Sequence, residues 1–148
     1  MQSAQNDGSR AVDLSRFIDA QARSWPTAIA EVTAGRKCSH WMWWIFPQIA
    51  GLGRSETARH YAIASADEAR AYLADPLLGS RLIEATRAAI TASGSAETIF
   101  GSIDAMKLRS SLTLFEAVAA DSQKAVFTAG LDRFYSGERD RATLDLLK

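Results

Sequence analysis

Apolar residues recur along most of the chain at the three- and four-residue spacing of amphipathic helices, and strand alternation is not convincing anywhere. Serine or aspartate precedes many of these periodic segments, and glycine or proline follows several of them, as is typical of helix ends. The pattern predicts a compact all-α domain of about eight helices, joined by short connections and distinct from a simple four-helix bundle.

Capping residues also predict the helix boundaries. Asp13 is predicted to cap the first helix, and Pro26 and Gly35 are predicted to begin and end a second short helix. The helix that starts near residue 102 and runs to about residue 120 is the most clearly defined by its apolar face. Later helices are predicted to start at capping residues, namely Ser39, Ser55, Ser65, Asp75, Ser95, Ser102, Ser122 and Asp140.

The segment 40–53, called the tryptophan block below, places Trp41, Trp43 and Trp44 within four positions. Tryptophan is bulky and its indole N–H usually needs a hydrogen-bond partner, so a generic core more often uses leucine or valine. The block therefore indicates a functional site. A very short helix is predicted for residues 40–46, with a strand as the alternative.

The helix predicted for residues 103–120 carries polar side chains within its apolar arc. At about 100° per residue, Asp104, Lys107 and Ser111 fall on the same face as apolar residues such as Ile103. An unpaired buried charge is costly, so these side chains must pair with one another or line a cleft. One interpretation is a buried Asp104–Lys107 pair that fixes the helix register. The other is a cleft that faces the tryptophan block, and the two are compatible in part.

Two further features of the tryptophan block suggest anion binding. His40, beside aromatic rings, can exchange a proton or donate a hydrogen bond to an anion; a core histidine is the structural alternative. Gly51, Gly53 and Ser55 form a flexible turn before a predicted helix start, where backbone N–H groups can hold an anion. A turn that only reorients the chain after Pro47 is the alternative there.

Length and composition restrict the function classes. The 148 residues fit one domain, which buries roughly 68–70% of its unfolded surface. The 17 basic and 17 acidic side chains cancel, and this zero formal charge does not favour nucleic acid as a partner. A single cysteine, Cys38, excludes an internal disulfide, and no apolar stretch is long enough to cross a membrane. We expect a cytoplasmic protein with a disordered tail at residues 1–11, a domain at residues 12–148, and neither a metal site nor a cofactor.

The tryptophan block belongs to a longer series of motifs. The segments SHWMWWIFPQ at residues 39–48 and GLGRS at residues 51–55 are followed by Tyr61 and by EARAYL, PLLGSRL, DAMKLRSSLTLF and GERDRATL, the last at residues 137–144. Over about residues 17–147 this series resembles the uncharacterised family called domain of unknown function 1810. Some members are labelled calpastatin-like, but calpastatin is a repetitive, disordered inhibitor, whereas this chain is rich in apolar residues and lacks a repeat. The resemblance implies no established activity, and its motif adds Gln48 and Tyr61 to the candidate site.

The leading functional hypothesis is a small-molecule site between the tryptophan block and the helix at residues 103–120. Trp41 and Trp43 would stack a planar group, and a nucleotide-like ligand, with ADP-ribose derivatives among the candidates, supplies both a planar and an anionic part. If a reaction follows binding, His40 is the expected acid or base, with Asp104 orienting it and Lys107 stabilising charge. The ligand-binding residues would be Trp41, Trp43, Gln48, Gly51, Gly53, Ser55, Tyr61 and Ser111.

The alternative hypothesis is a non-catalytic interaction domain. In that case the tryptophans, Phe46 and Pro47 form an aromatic groove that docks a peptide from a protein partner. A concave pocket with converging polar groups favours the small ligand, whereas a shallow exposed aromatic patch favours the peptide. A third interpretation makes the whole motif part of the core.

Overall fold

The computed structural model describes residues 12–148, so the tail predicted at residues 1–11 lies outside the described residues. The prediction of an all-α fold is confirmed, because the only β pairing within residues 12–148 is an isolated parallel bridge between Ile49 and Ile63. No helix in this range is long and apolar enough to cross a membrane. The described residues form nine helices: α1 Ser15–Ala34, α2 Met42–Ile45, α3 Glu56–His60, α4 Ala66–Ala74, α5 Pro76–Thr91, α6 Ala96–Phe100, α7 Ser102–Val118, α8 Asp121–Tyr135 and α9 Arg141–Leu146.

Most of the predicted caps are present. The side-chain oxygens of five residues accept a backbone N–H from the first turn of the helix that follows: Ser55, Ser65, Asp75, Ser95 and Asp140. Each bond satisfies a donor that the helix itself leaves unpaired. The structure differs at Asp13, because Leu14 is the residue that flanks the start of α1. It also differs at Ser102 and Ser122, which are the first residue of α7 and the second residue of α8. Gly101, with a φ of 85°, precedes α7 instead.

The prediction of two short helices before the tryptophan block is wrong, because α1 continues through Pro26. Proline inside a helix removes one backbone hydrogen bond and costs ~3 kcal/mol. Pro26 is exposed, and buried side chains on both sides of it, including Phe17 and Val32, hold α1 against the core. Gly35 ends α1 with a φ of 78°, as predicted.

Residues 42–45 of the tryptophan block form the short helix α2, so the helical prediction is confirmed over the strand. Its N-terminal flanking residue is Trp41 and not Ser39. The hydroxyl of Ser39 donates to the Glu31 carboxylate instead. Phe46 leaves the helix with φ −125° and ψ 73°, as a residue that precedes proline must.

Helix α7 packs against α4, α6, α8 and α9 and supplies much of the core. Four aromatic rings form a continuous chain through the core. Their centroids are 5.2 Å apart for Phe17 and Tyr72, 5.3 Å for Tyr72 and Phe115, and 6.1 Å for Phe115 and Phe127. The predicted apolar arc of α7 is wrong at its first turn, because Ile103 is 70% exposed.

Candidate functional site

A cavity of about 290 Å³ lies between the tryptophan block and α7. We name it the Trp43 cavity. Its apolar wall is formed by Trp43, Leu52, Ile103 and Met106, and its polar groups come from Gln48, Lys107, Ser110 and Asp140. The lining residues come from three separate segments, namely α2 with the turn after it, the first half of α7, and the residue that caps α9. The cavity therefore depends on how these segments pack together.

Lys107 places a cation over the Trp43 ring at the wall of this cavity. Its ammonium lies 4.1 Å from the ring centroid of Trp43 and 3.1 Å from the Oδ1 atom of Asp104. A cation over an aromatic face is held by the negative potential of the ring. Asp104 and Lys107 therefore project toward the tryptophan block, as the helical phase predicted. Lys107 is paired with Asp104, as the first interpretation predicts, although the pair is half-buried, and it also lines the cavity, as the second predicts.

A second lysine, which the sequence analysis missed, shares the Asp104 carboxylate. The ammonium of Lys37 lies 2.9 Å from Oδ2 of Asp104, donates to the Ser39 carbonyl at 2.6 Å, and sits 5.0 Å from the Trp41 ring centroid. Burial alone would raise the pKa of Asp104, but hydrogen bonds from Lys37 and Lys107 outweigh it and hold that pKa below its usual range. Asp104 is therefore ionised, and the three charged groups carry one net positive charge.

The Glu31 carboxylate of α1 binds Trp41 of the tryptophan block and the two residues that precede the block. This group accepts the backbone N–H of Cys38 at 2.8 Å and of Ser39 at 2.9 Å, the Ser39 hydroxyl at 2.6 Å, and the indole N–H of Trp41 at 2.9 Å. Burial acts to raise the pKa of Glu31, but the four hydrogen bonds lower it to about 2. Trp41 is only 1% exposed. The expectation that Trp41 stacks a ligand is therefore corrected, because its ring lies in the core.

Trp44 is also packed against the protein. Its indole N–H donates to the Ser24 hydroxyl at 2.7 Å, and its ring centroid lies 5.0 Å from that of Tyr61. Tyr61 was predicted to bind ligand, but it packs here and is not among the residues that line the Trp43 cavity. Trp43 and Trp44 are both half-buried, but of the three tryptophans of the block only Trp43 lines the cavity. Within residues 12–148, its indole N–H has no partner like those of Trp41 and Trp44.

The predicted catalytic set does not converge on the Trp43 cavity. His40 is exposed and is not one of the cavity-lining residues. The partners of the Asp104 carboxylate among the described residues are Lys37 and Lys107, so the expected pairing of Asp104 with His40 is not formed. Ser111 is completely buried, and its hydroxyl lacks a hydrogen-bond partner among the described residues. It does not line the cavity.

The glycine turn has a packing role. A Cβ atom on Gly53 would lie 2.5 Å from the Cβ of Ala58, and one on Gly51, whose φ is 106°, would lie 3.1 Å from the Leu146 side chain. The hydroxyl of Ser55 already accepts an N–H of the following turn, and α3 has only five residues. These contacts favour the structural interpretation at Gly51 and Ser55, while Gly53 also lines the Trp43 cavity.

Asp140 and Ser110 are cavity residues that sequence reasoning did not select. Asp140 was predicted only as a helix cap, and its Oδ2 does accept the Thr143 N–H at 3.2 Å. The same atom accepts the Ser110 hydroxyl at 3.1 Å, which joins α7 to the start of α9. The sequence feature that could have pointed to them is the pair of motifs that contain them: Ser110 lies in DAMKLRSSLTLF and Asp140 in GERDRATL.

The chain is similar to the conserved hypothetical protein Rv1873 from Mycobacterium tuberculosis, whose crystal structure has a TM-score of 0.88 with this fold. The two sequences are 46% identical, and the match covers 91% of this chain and 96% of that one. No curated protein matches the chain. A family model described as protein of unknown function (DUF1810) matches residues 11–147. The chain therefore belongs to this family.

Proposed function

We propose that the chain binds a small, planar, anionic ligand of the nucleotide-like class in the Trp43 cavity. The observation that carries this proposal is the position of Lys107, whose ammonium is fixed between the Trp43 ring and the Asp104 carboxylate at the cavity wall. Ligand pockets typically combine mostly apolar walls with a few convergent polar groups. Here Gln48, Ser110 and Asp140 supply the other polar groups.

The size of the cavity restricts the ligand. Its volume of about 290 Å³ is near the lower end of the roughly 300–1,000 Å³ typical of ligand sites. One ring system with one anionic group suits this space better than a complete ADP-ribose molecule. Stacking of a base on an aromatic side chain contributes ~1–3 kcal/mol, and Lys107 adds a charged partner for a phosphate or carboxylate.

The proposal is for binding and does not extend to catalysis by His40. A general acid or base must reach the proton that it transfers within hydrogen-bonding distance or through one water molecule. His40 is exposed and outside the cavity lining, and Asp104 is occupied by two ammonium groups. This arrangement supports the binding part of the hypothesis more than the acid–base part.

One observation favours the alternative of peptide docking. Ile103 is 70% exposed and Met106 is 73% exposed at the rim of the cavity, and exposed apolar side chains in a patch are typical of protein contacts. The groove expected from the sequence, however, included Trp41, Phe46 and Pro47, which are all buried. The concave cavity with converging polar groups therefore favours the small ligand.

Binding is tested by thermal shift and tryptophan fluorescence with AMP, ADP, ADP-ribose and sugar phosphates. A ligand at 100 times its dissociation constant stabilises the fold by ~2.7 kcal/mol, which raises Tm by roughly 5–10 °C for a domain of this size. Raised salt should weaken the binding, because charge contacts near the surface are screened over ~8 Å at physiological ionic strength.

A matched pair of tryptophans locates the site. Trp25 also carries a cation over its ring, since the Arg81 guanidinium lies 5.2 Å from its centroid, but Trp25 is outside the cavity. Trp43→Ala should abolish binding, Trp43→Phe should retain part of it, and Trp25→Ala should leave it intact. Equal losses for both alanine variants, or no saturable response to any of these compounds, would overturn the proposal and favour peptide docking.

A further inference from the structure

A second cavity, of about 210 Å³, adjoins the Trp43 cavity. Met106, Ser110 and Asp140 line both cavities, so the two spaces share one wall. We name the second space the Arg109 cavity, after the guanidinium that lines it together with Glu97 and Tyr135. Met106 is 73% exposed, and its unbranched thioether chain can move between rotamers at little cost. A ligand in the Trp43 cavity can therefore extend across the shared wall.

The charges of the Arg109 cavity are mixed. The carboxylates of Glu97 and Asp140 accept hydrogen bonds, and the Arg109 guanidinium donates them. Among residues 12–148, the guanidinium of Arg109 makes a single long hydrogen bond, of 3.4 Å, to the Arg139 carbonyl. Most of its donors have no partner in this part of the chain. The charged residues that line this cavity carry a net negative charge, whereas Lys107 balances Asp140 in the lining of the Trp43 cavity. A phosphate group therefore fits the Arg109 cavity less well than the Trp43 cavity. A sugar hydroxyl fits this set better, because it donates to a carboxylate and accepts from a guanidinium at the same time.

Tyr135 completes this polar surface as a neutral group. Its hydroxyl donates to the Ala105 carbonyl, and burial, followed by the charge of Glu97, raises its pKa. The phenol oxygen keeps a lone pair that can accept a further hydrogen bond. Each polar group of the cavity can thus be satisfied by an uncharged, hydroxyl-bearing ligand.

We propose that the Arg109 cavity is a subsite for sugar hydroxyl groups, and that it holds the pentose hydroxyls of a ligand whose planar and anionic parts occupy the Trp43 cavity. This inference rests on the proposed function and specifies its ligand class further, as a ribonucleotide-like molecule in preference to a deoxygenated analogue.

The test compares AMP with 2′,3′-dideoxy-AMP by isothermal titration calorimetry on the full chain. The two probes share the base and the phosphate and differ only in the two hydroxyls. Dideoxy-AMP should bind at least about tenfold more weakly, because it lacks the hydrogen bonds of the two hydroxyls to the charged carboxylate and guanidinium groups, each of which contributes about 1.5–3 kcal/mol. Arg109→Leu and Glu97→Gln should each lower AMP affinity toward that of dideoxy-AMP and leave dideoxy-AMP binding unchanged.

The controls are Glu84→Gln and Arg87→Leu, which alter exposed residues of α5 in the same chemical way. Neither control should change the preference for AMP. Asp140 is not substituted, because it caps α9. A circular dichroism spectrum of each variant confirms that the helices are intact.

The outcomes separate the two proposals. Equal affinity of the unmodified chain for the two nucleotides overturns the subsite and leaves the proposed function standing. A preference for AMP that survives both Arg109→Leu and Glu97→Gln also overturns it, because the hydroxyls then bind elsewhere. If neither nucleotide binds, the proposed function and this inference are both wrong for nucleotide ligands.

Discussion

The Glu31 carboxylate provides the sharpest test of how the tryptophan block is held. It accepts four hydrogen bonds from Cys38, Ser39 and Trp41. Glu31→Ala removes all four acceptor contacts and strands the indole N–H of Trp41, which is 1% exposed. An unsatisfied buried donor costs about 1–3 kcal/mol, and hydrogen bonds to a charged group contribute more than neutral ones. The donors of Cys38 and Ser39 add less, because water can reach them more easily.

We expect Glu31→Ala to lower the free energy of unfolding by about 3 kcal/mol, which corresponds to a fall in Tm of about 6–12 °C for a domain of this size. Urea denaturation followed by circular dichroism measures the effect. Asp67→Ala is the control, since Asp67 bonds Arg70 with side chains that are 89% and 58% exposed. An exposed pair of this kind contributes at most about 0.5 kcal/mol.

The same carboxylate predicts a pH dependence. The pKa of Glu31 lies at about 2 in the fold, below its ordinary value of 4.5. Because the pKa of Glu31 is lower in the folded than in the unfolded chain, its ionised carboxylate stabilises the fold fully above pH 4.5. This contribution is lost as the pH falls from 4.5 toward 2. Glu31 is partly exposed, so solvent screening reduces the contribution to about 1–2 kcal/mol. Glu31→Gln, which cannot ionise, should converge on the stability of the unmodified chain as the pH is lowered through this window.

Two results would refute this reasoning about Glu31. One is a cost of Glu31→Ala no larger than that of Asp67→Ala, which would mean that the four hydrogen bonds contribute little. The other is a constant difference between Glu31→Gln and the unmodified chain across the acidic window, which would mean that the carboxylate titrates normally.

Five further substitutions, which make three separate tests, probe the packing around the site by urea denaturation. Lys37→Ala should destabilise the fold by about 2–3 kcal/mol and Lys107→Ala by about 1 kcal/mol. The reason is that the side chain of Lys37 is 8% exposed, whereas that of Lys107 is 21% exposed. Equal losses of stability would contradict this order. Gly53→Ala should cost about 1–3 kcal/mol through overpacking, since its Cβ would lie 2.5 Å from the Cβ of Ala58. Gly101→Ala should suffer only backbone strain, because a Cβ there meets no atom of residues 12–148 within 4 Å. Similar costs for the two variants would argue against overpacking at Gly53. Ser111→Ala should be neutral or stabilise by up to about 1 kcal/mol, because its buried hydroxyl lacks a partner among the described residues; a marked loss would mean that the hydroxyl is bonded.

Features determined by nearby residues were predictable from the sequence. The caps at Ser65, Asp75 and Asp140 each bond an N–H two or three positions later, so the sequence contains both partners side by side. The same holds for the turn at Gly35, where a positive φ favours glycine. Helical phase also placed Lys107 on the same face of α7 as its apolar residues, although it did not specify which segment packs against that face.

Features that depend on distant partners were not predictable. The indole of Trp41 bonds Glu31, and that of Trp44 bonds Ser24, both of them on α1. Periodicity does not specify which helix meets the tryptophan block, so the sequence could not separate core tryptophans from the one at the cavity. Pro26 shows the same limit, because tertiary packing of α1 outweighs the local preference of proline to end a helix.

The different positions of Trp41, in the core, and Trp43, at the cavity, follow from the Asp104 carboxylate, which bonds both Lys37 and Lys107. On one side, Lys37 bonds this carboxylate and lies over the buried Trp41 ring, so the core fixes the position of Asp104. On the other side, Asp104 holds the Lys107 ammonium over Trp43, at the cavity wall. A charge that is already positioned loses little conformational freedom when a ligand binds, which favours affinity. The buried Trp41 therefore supports the site, and Trp43 provides its contact surface. The proposed site requires both tryptophans, although they lie only two positions apart in the sequence.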